Sequence, residues 1–357
     1  MKKLLLLFAA MLVAVAATHA QTPTATLSHE GTVKCFYGSD AFKNAVAEAA
    51  DGDDITLSSG VFNAITITKA VNIKGAGMVA DTINNVEKTV VKSNGSTYFR
   101  VQKDNVNISG IYFTTQVYLD STNIKLNKCT ITAALYGKPN NTTRYTENYL
   151  YNCRCLRSVH LNNPGTKLNV VNSFIYDATT STTSNSTISF FAVNSIIGSH
   201  VGSVNGPLVI YNSTFYNSII FNTSTGTNYI NGNLPSSNFV YYCVGKNGNG
   251  TIFDNVLGYD DGSGNYVPNN TNTVVSDLST IFKTFNGENY NEYETFELTT
   301  TAASTYLGDD GTQVGMYGGS LPYNPFPSHP IITKCTVAEK STPQGTLSVD
   351  IEVKPAQ

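Results

Sequence analysis

Between Thr143 and Lys167 the chain reads TRYTENYLYNCRCLRSVHLNNPGTK. Three of its four arginines, Arg144, Arg154 and Arg157, fall inside this stretch, with His160 and Lys167 close behind. Tyr145, Tyr149 and Tyr151 are interleaved with them. Cations beside a titratable base have a defined chemistry. A cation neutralises a carboxylate and so acidifies the neighbouring C–H, and a base then removes that proton. Arg154, Arg157 and His160 are the candidate catalytic groups for such a β-elimination. Arg144, Tyr145, Tyr149 and Lys167 are the candidate substrate-binding groups. Arg154 and Arg157 have opposite parity, so a straight strand would not present both on one side, whereas a bend between them would. The competing expectation is a solvated outer surface, since exposed arginines and half-buried tyrosines need no ligand.

Other chemistries have less support. Glycoside hydrolysis needs two carboxylates across the scissile bond. Between Asn105 and Leu257 the only acids are Asp120, Glu147, Asp177 and Asp254, and no hydrolase-type cluster is visible. The pairs Asp53-Asp54, Asp260-Asp261 and Asp309-Asp310 sit in Gly-rich stretches and read as turns. DDGSGNY from Asp260 offers oxygen ligands without the spacing of a calcium loop, so calcium is a minor expectation and no other cofactor is implied. His200 follows His160 by 40 residues, about two repeats on. The six cysteines match no zinc spacing and read as structural thiols. Cys129 and Cys153 come within bridging reach if they sit on adjacent repeats.

The elements that would position these groups are short strands. The phrases VVNSFIYD, AVNSIIGS and IYNSTFYN place Asn172, Asn194 and Asn212 at steps of 22 and 18 residues, and NKCTIT and NCRCLR extend the series upstream to Asn127 and Asn152. Repeats of about 20 residues predict a solenoid: one coil cannot bury its apolar side, but stacked coils build a continuous core. The repeated Asn then has an architectural use, as an asparagine ladder at a recurring bend. SDAFKNAVAEAADGDD predicts an amphipathic helix, capped by Ser39 or Asp40, with Phe42, Ala45, Val46 and Ala49 on one side. It would cover the open N-terminal end. Nothing after Ala50 has helical periodicity.

The capping helix, then DGDDITLSSGVFNAITITKAVNIKGAG and NVNISGIYFT, resembles the opening coils of right-handed parallel β-helix proteins of the pectin-lyase-like superfamily. It is similar to exported Bacteroidetes β-helix proteins of unknown function, whose helices end in Gly-rich phrases such as GDDGTQVGMYGG. The resemblance covers about Asp40 to Gly258 and implies an all-β fold. It further implies a chain that binds an acidic polysaccharide or cell-surface glycan, or cleaves one as a lyase. The alternative is a non-catalytic exported scaffold or adhesin.

The expected organisation is a signal peptide over 1–20, an N-terminal cap over 21–54 and a parallel β-helix over 55–319. A Pro-rich linker over 320–330 and a C-terminal strand pair over 331–357 follow. Lys2 and Lys3, the apolar run Leu4 to Ala17 and the small-residue site before Gln21 predict an exported, periplasmic, cell-surface or secreted chain. No later run is long enough to span a membrane. Removing the leader takes the formal charge from −3 to −5, which gives no basic face for nucleic acid.

Overall fold

The computed structural model describes residues 22–82, 86–137, 145–161, 165–180, 189–199, 209–210, 214–222, 229–230, 252–254, 257–259, 273–275, 277–285, 294–308, 310–327, 331–337 and 349–354. The expected leader, Arg144, His200, Asn212 and the stretch from Asp260 lie outside them. Strands dominate: the chain is an all-β parallel solenoid. Among the described residues no helix is long and apolar enough to cross a membrane.

Each coil contributes strands to three faces. The first face runs in parallel register from Asp54–Leu57 through Asn72–Lys74, Asn107–Ser109, Lys125–Asn127, Thr146–Tyr151 and Thr166–Val171. The second includes Gly60–Asn63, Thr89–Lys92, Ile111–Phe113 and Thr130–Ile131. The third includes Phe99–Val101, Val117–Leu119 and Leu135–Gly137. Strand Arg154–Leu161 serves the second and third faces in turn, with a register shift between Cys155 and Ser158. Alternate residues point inward, so Ile73, Ile108, Leu126 and Leu150 form one buried row. Phe42, Phe62, Phe99 and Phe113 add an aromatic column at the N-terminal end.

The helix Ala41–Glu48 buries Ala41, Phe42, Ala45 and Val46 over the first coil, as its pattern predicts. Asp40 is its N-cap residue but makes no capping bond; its carboxylate accepts from Asn63 Nδ2 at 2.9 Å. A β-hairpin, Thr24–His29 with Thr32–Tyr37, extends the first face antiparallel beyond the solenoid's first strand. His29 Nδ1 lies 2.7 Å from Asp53 Oδ1 and ties the hairpin to the first coil. The hydrogen bond and charge of Asp53 raise the His29 pKa. Burial pushes Asp53 up, but the Ala50 N–H and His29 outweigh it and hold its carboxyl below the usual value. The His contribution is complete below the unfolded His value and is lost as pH rises through the raised one. The Asp contribution is complete above the unfolded Asp value and is lost as pH falls through the depressed one. His29→Ala should therefore increase amide exchange in the hairpin near pH 5, and much less near pH 8. Equal effects at both would show that the pair does not anchor it.

The repeated phrase marks a bend. Lys128, Asn152, Asn172, Asn194 and Asn217 all have positive φ, between 44° and 52°, at steps of 24, 20, 22 and 23 residues. The left-handed region is costly for most L-residues and tolerated by Asn. This corrects the phase read from sequence at both ends of the series. Lys128, not Asn127, turns its coil, and Asn217 turns the coil assigned to Asn212. The residue after each bend also forms a column. The N–H of Cys153 donates to Ser173 Oγ, that of Ser173 to Ser195 Oγ, and that of Ser195 to Ser218 Oγ. Asparagines do stack and bond between coils elsewhere, as in Asn107 to Asn72 and Asn123 to Asn105, both at 2.7 Å.

The bend asparagines hold something else. After Thr273–Val275 the chain folds back along the bend column instead of adding coils. Phe282, Phe285 and Phe296 form an aromatic cluster that covers Phe174 on the outer side of the second face. A short helix, Thr300–Thr305, then forms, capped by the Thr299 side chain; no apolar periodicity announces it. From there a strap descends toward the N-terminal end. Asn172 Nδ2 donates to the carbonyls of Met316 and Gly318 at 3.1 and 2.6 Å. Asn152 Oδ1 accepts from the Asn324 N–H, and Lys128 Nζ donates to the Phe326 carbonyl. The approach is close: a methyl group at Gly319 would fall 2.0 Å from Asn194 Nδ2. The stretch expected as a linker from residue 320 is thus packed on the solenoid as far as Pro327. Strands Ile331–Val337 and Val349–Lys354 pair antiparallel.

Candidate ligand groove

The outward residues of the first face line up by register. One column is Asn72, Asn107, Lys125, Tyr149 and Asn169; its neighbour is Lys74, Ser109, Asn127 and Tyr151. Successive strands are about 4.8 Å apart, so each column presents one polar group per coil. These columns floor a groove of about 520 Å³. A second hollow of about 350 Å³ lies between Lys128, Asn152 and the strap residues Ser320, Leu321, Pro322 and Asn324. Asn127 and Tyr151 line both, which joins them into one cleft walled on one side by the strap.

The cleft is amide-rich and locally cationic. Lys74 Nζ lies 3.7 Å from Asp54. Lys125 Nζ sits 6.0 Å from the Tyr149 ring centre, and among the described residues it pairs with no carboxylate. Burial pushes the Lys128 ammonium down, and its proton is directed to the Phe326 carbonyl. The Tyr149 and Tyr151 rings lie 5.9 Å apart and nearly parallel, at 5°. Burial, then the Glu147 charge, pushes both phenols up, so both stay protonated at neutral pH.

The residues singled out from sequence are spread around two successive coils. Tyr149 and Lys167 lie on the first face, as does half-exposed Tyr145 just before its strand. Lys167 is bonded to Glu147 at 2.8 Å, which raises the Lys167 pKa and lowers that of Glu147. Arg154 points outward from the second face but is covered by the returning segment, where Nη2 donates to the Glu294 carbonyl at 2.6 Å. Arg157 is exposed at the register shift. His160 lies on the third face, its ring stacked 4.9 Å from Tyr136, and burial lowers its pKa. That stack continues through Tyr118, 4.7 Å from Tyr136, to Arg100, whose guanidinium lies 4.3 Å over Tyr118 and pairs with Asp120. Arg154 and His160 thus take separate neighbours on separate faces. Among the described residues no three His, Cys, Asp or Glu side chains gather as a metal-ligand set.

The groove residues that sequence reasoning missed are Asn72, Lys74, Asn107, Ser109, Lys125 and Asn127. Their signal was present. NIK, NIS, KLN and YLY each place one inward apolar residue between two outward polar or aromatic ones. Aligning those triplets coil on coil would have drawn the face. Comparisons of the chain with protein-family models, curated proteins and solved structures find no match.

Proposed function

We propose that this chain is an exported glycan-binding solenoid that holds an acidic polysaccharide in the cleft of its first face. The observation that carries this reading is Lys125: a cation with no carboxylate partner among the described residues, set among asparagine amides and tyrosine rings in a groove. Amides and hydroxyls match sugar hydroxyls, aromatic rings match the apolar sides of pyranoses, and an ammonium matches a uronate or sulfate. The leader-like N-terminus fits delivery to a compartment where such polymers occur. Binding without cleavage is favoured over β-elimination. The tyrosines beside Lys125 have raised pKa values and make poor bases, and Arg154 and His160 are engaged elsewhere.

The test is calorimetric titration with uronate-containing oligosaccharides, with ultraviolet absorbance followed in parallel for unsaturated product. Lys125→Ala should weaken binding about tenfold, equivalent to about 1.4 kcal/mol, and wild-type affinity should fall with added salt. Absorbance should stay flat. No uptake of any acidic glycan, or an unchanged Lys125→Ala, would overturn the reading. Product formation would restore the lyase.

A further inference from the structure

The cysteines are not used by the glycan reading, yet three of them sit together. Thr130 pairs with Arg154 in parallel register, which sets Cys129 directly beside Cys153 on the neighbouring coil. Cys155 follows on the same inward side. All three are fully buried. Cys129 and Cys153 occupy the column that serines take in the next three coils, and their sulfurs point the same way as those hydroxyls. Cys153 Sγ lies 3.4 Å from the Leu126 carbonyl, as Ser195 Oγ lies 3.4 Å from that of Val170. Each thiol also donates within its own coil, Cys129 to the Asn127 carbonyl and Cys153 to that of Tyr151. Neighbouring parallel strands are about 4.8 Å apart. That spacing falls within the Cα separation of about 4.4–6.8 Å that a disulfide spans.

We propose that Cys129 and Cys153 form a covalent staple between two successive coils when the chain folds under oxidising conditions. In the reaction one thiolate attacks the disulfide of an oxidant, such as glutathione disulfide. A mixed disulfide forms and one glutathione leaves as thiol. The second cysteine then displaces the other glutathione. One S–S bond is made in the protein and one is broken in the oxidant. Two electrons and two protons pass from the cysteine pair to the two released thiols. The order of events follows from burial. Once the coils close, desolvation pushes the Cys153 and Cys155 thiols far up and removes the thiolate that exchange requires. The bond must therefore form before or during packing of these coils. It joins residues 24 apart and so constrains the unfolded chain.

The experiment is refolding of the full chain from denaturant in a glutathione redox buffer, followed by alkylation and a non-reduced peptide map. The expected product is a Cys129–Cys153 linked peptide, lighter by two hydrogens, with Cys155 alkylated only after denaturation. The urea midpoint of this product should fall when reductant is added. Cys153→Ser should abolish that response and Cys155→Ser should keep it. Serine already fills this column at Ser173, Ser195 and Ser218, so the variant has a tolerated residue there. Full alkylation of Cys129 and Cys153 after oxidative refolding, or a bridge from either to Cys155, would overturn the proposal. The peptide map on the unsubstituted chain decides the matter even if a variant fails to fold.

Discussion

Phe296→Ala should lower the unfolding free energy by about 4 kcal/mol, the range for removing a large buried aromatic. Phe296 is fully buried although it belongs to the returning segment and not to a coil. Its ring stacks 4.3 Å from Phe174 of the second face and meets Phe282 and Phe285 edge-on at 5.7 and 5.2 Å. Its backbone also has φ 54°, a conformation that costs about 1–2 kcal/mol for an L-residue, so packing is what holds it there. Truncation removes the packing and keeps the strain. Because the strap follows this cluster in the chain, the loss should reach beyond it. Amide exchange over 310–327 should rise with the drop in the urea midpoint. A midpoint within about 0.5 kcal/mol of the parent would mean that the returning segment folds independently of the solenoid, as a surface substitution would behave.

The repeat spacing, the strand chemistry and the capping helix were enough to predict a solenoid, because they are local signals. Helix residues 41–48 bury the side their 3.6 periodicity defines, and the inward rows follow from alternation. The phase of the repeat was less legible. The bend is fixed by positive φ, and Lys128 takes that position in one coil with no sequence mark of a turn. The strap was not legible at all. Its anchors join single side chains to carbonyls far away in sequence, as Lys128 does with Phe326, and a carbonyl has no letter of its own.

The grouping of the candidate site residues was hard to read for a related reason. In Thr143 to Lys167 the cations are neighbours in sequence, and a coil of some 20 residues sends such neighbours to three different faces. Tyr149 and Lys167 stayed together only because they lie about one coil apart. In a solenoid, a face is written at the coil period, so a cluster of contiguous residues is weak evidence for a site. Lys74 and Lys125, two strands apart in the first face, belong to one groove although 51 residues separate them.

Substitutions at Asn172 should separate the bend from the clasp. Asn172 does two jobs: it adopts φ 46° and its amide donates to both Met316 and Gly318 carbonyls in a buried setting. Asn172→Ala loses both, and each stranded carbonyl costs about 1–3 kcal/mol, so a total near 3–4 kcal/mol is expected in urea unfolding. Asn172→Gly keeps the bend at no steric cost and should lose only the clasp, about 2 kcal/mol. Asn172→Asp is the sharper test. Its carboxylate would face two carbonyl oxygens with nothing to donate, so its folded pKa must rise. Protonation restores one donor. Its deficit should therefore be largest at pH 7 and should shrink as pH falls through the raised value, opposite in sign to an ordinary surface aspartate. If Gly costs almost nothing while Ala is destabilising, the strap is held elsewhere and the repeated asparagine serves the bend alone. If Gly costs nearly as much as Ala while Asp recovers in acid, the phrase that recurs along this chain is kept for the clasp as much as for the turn.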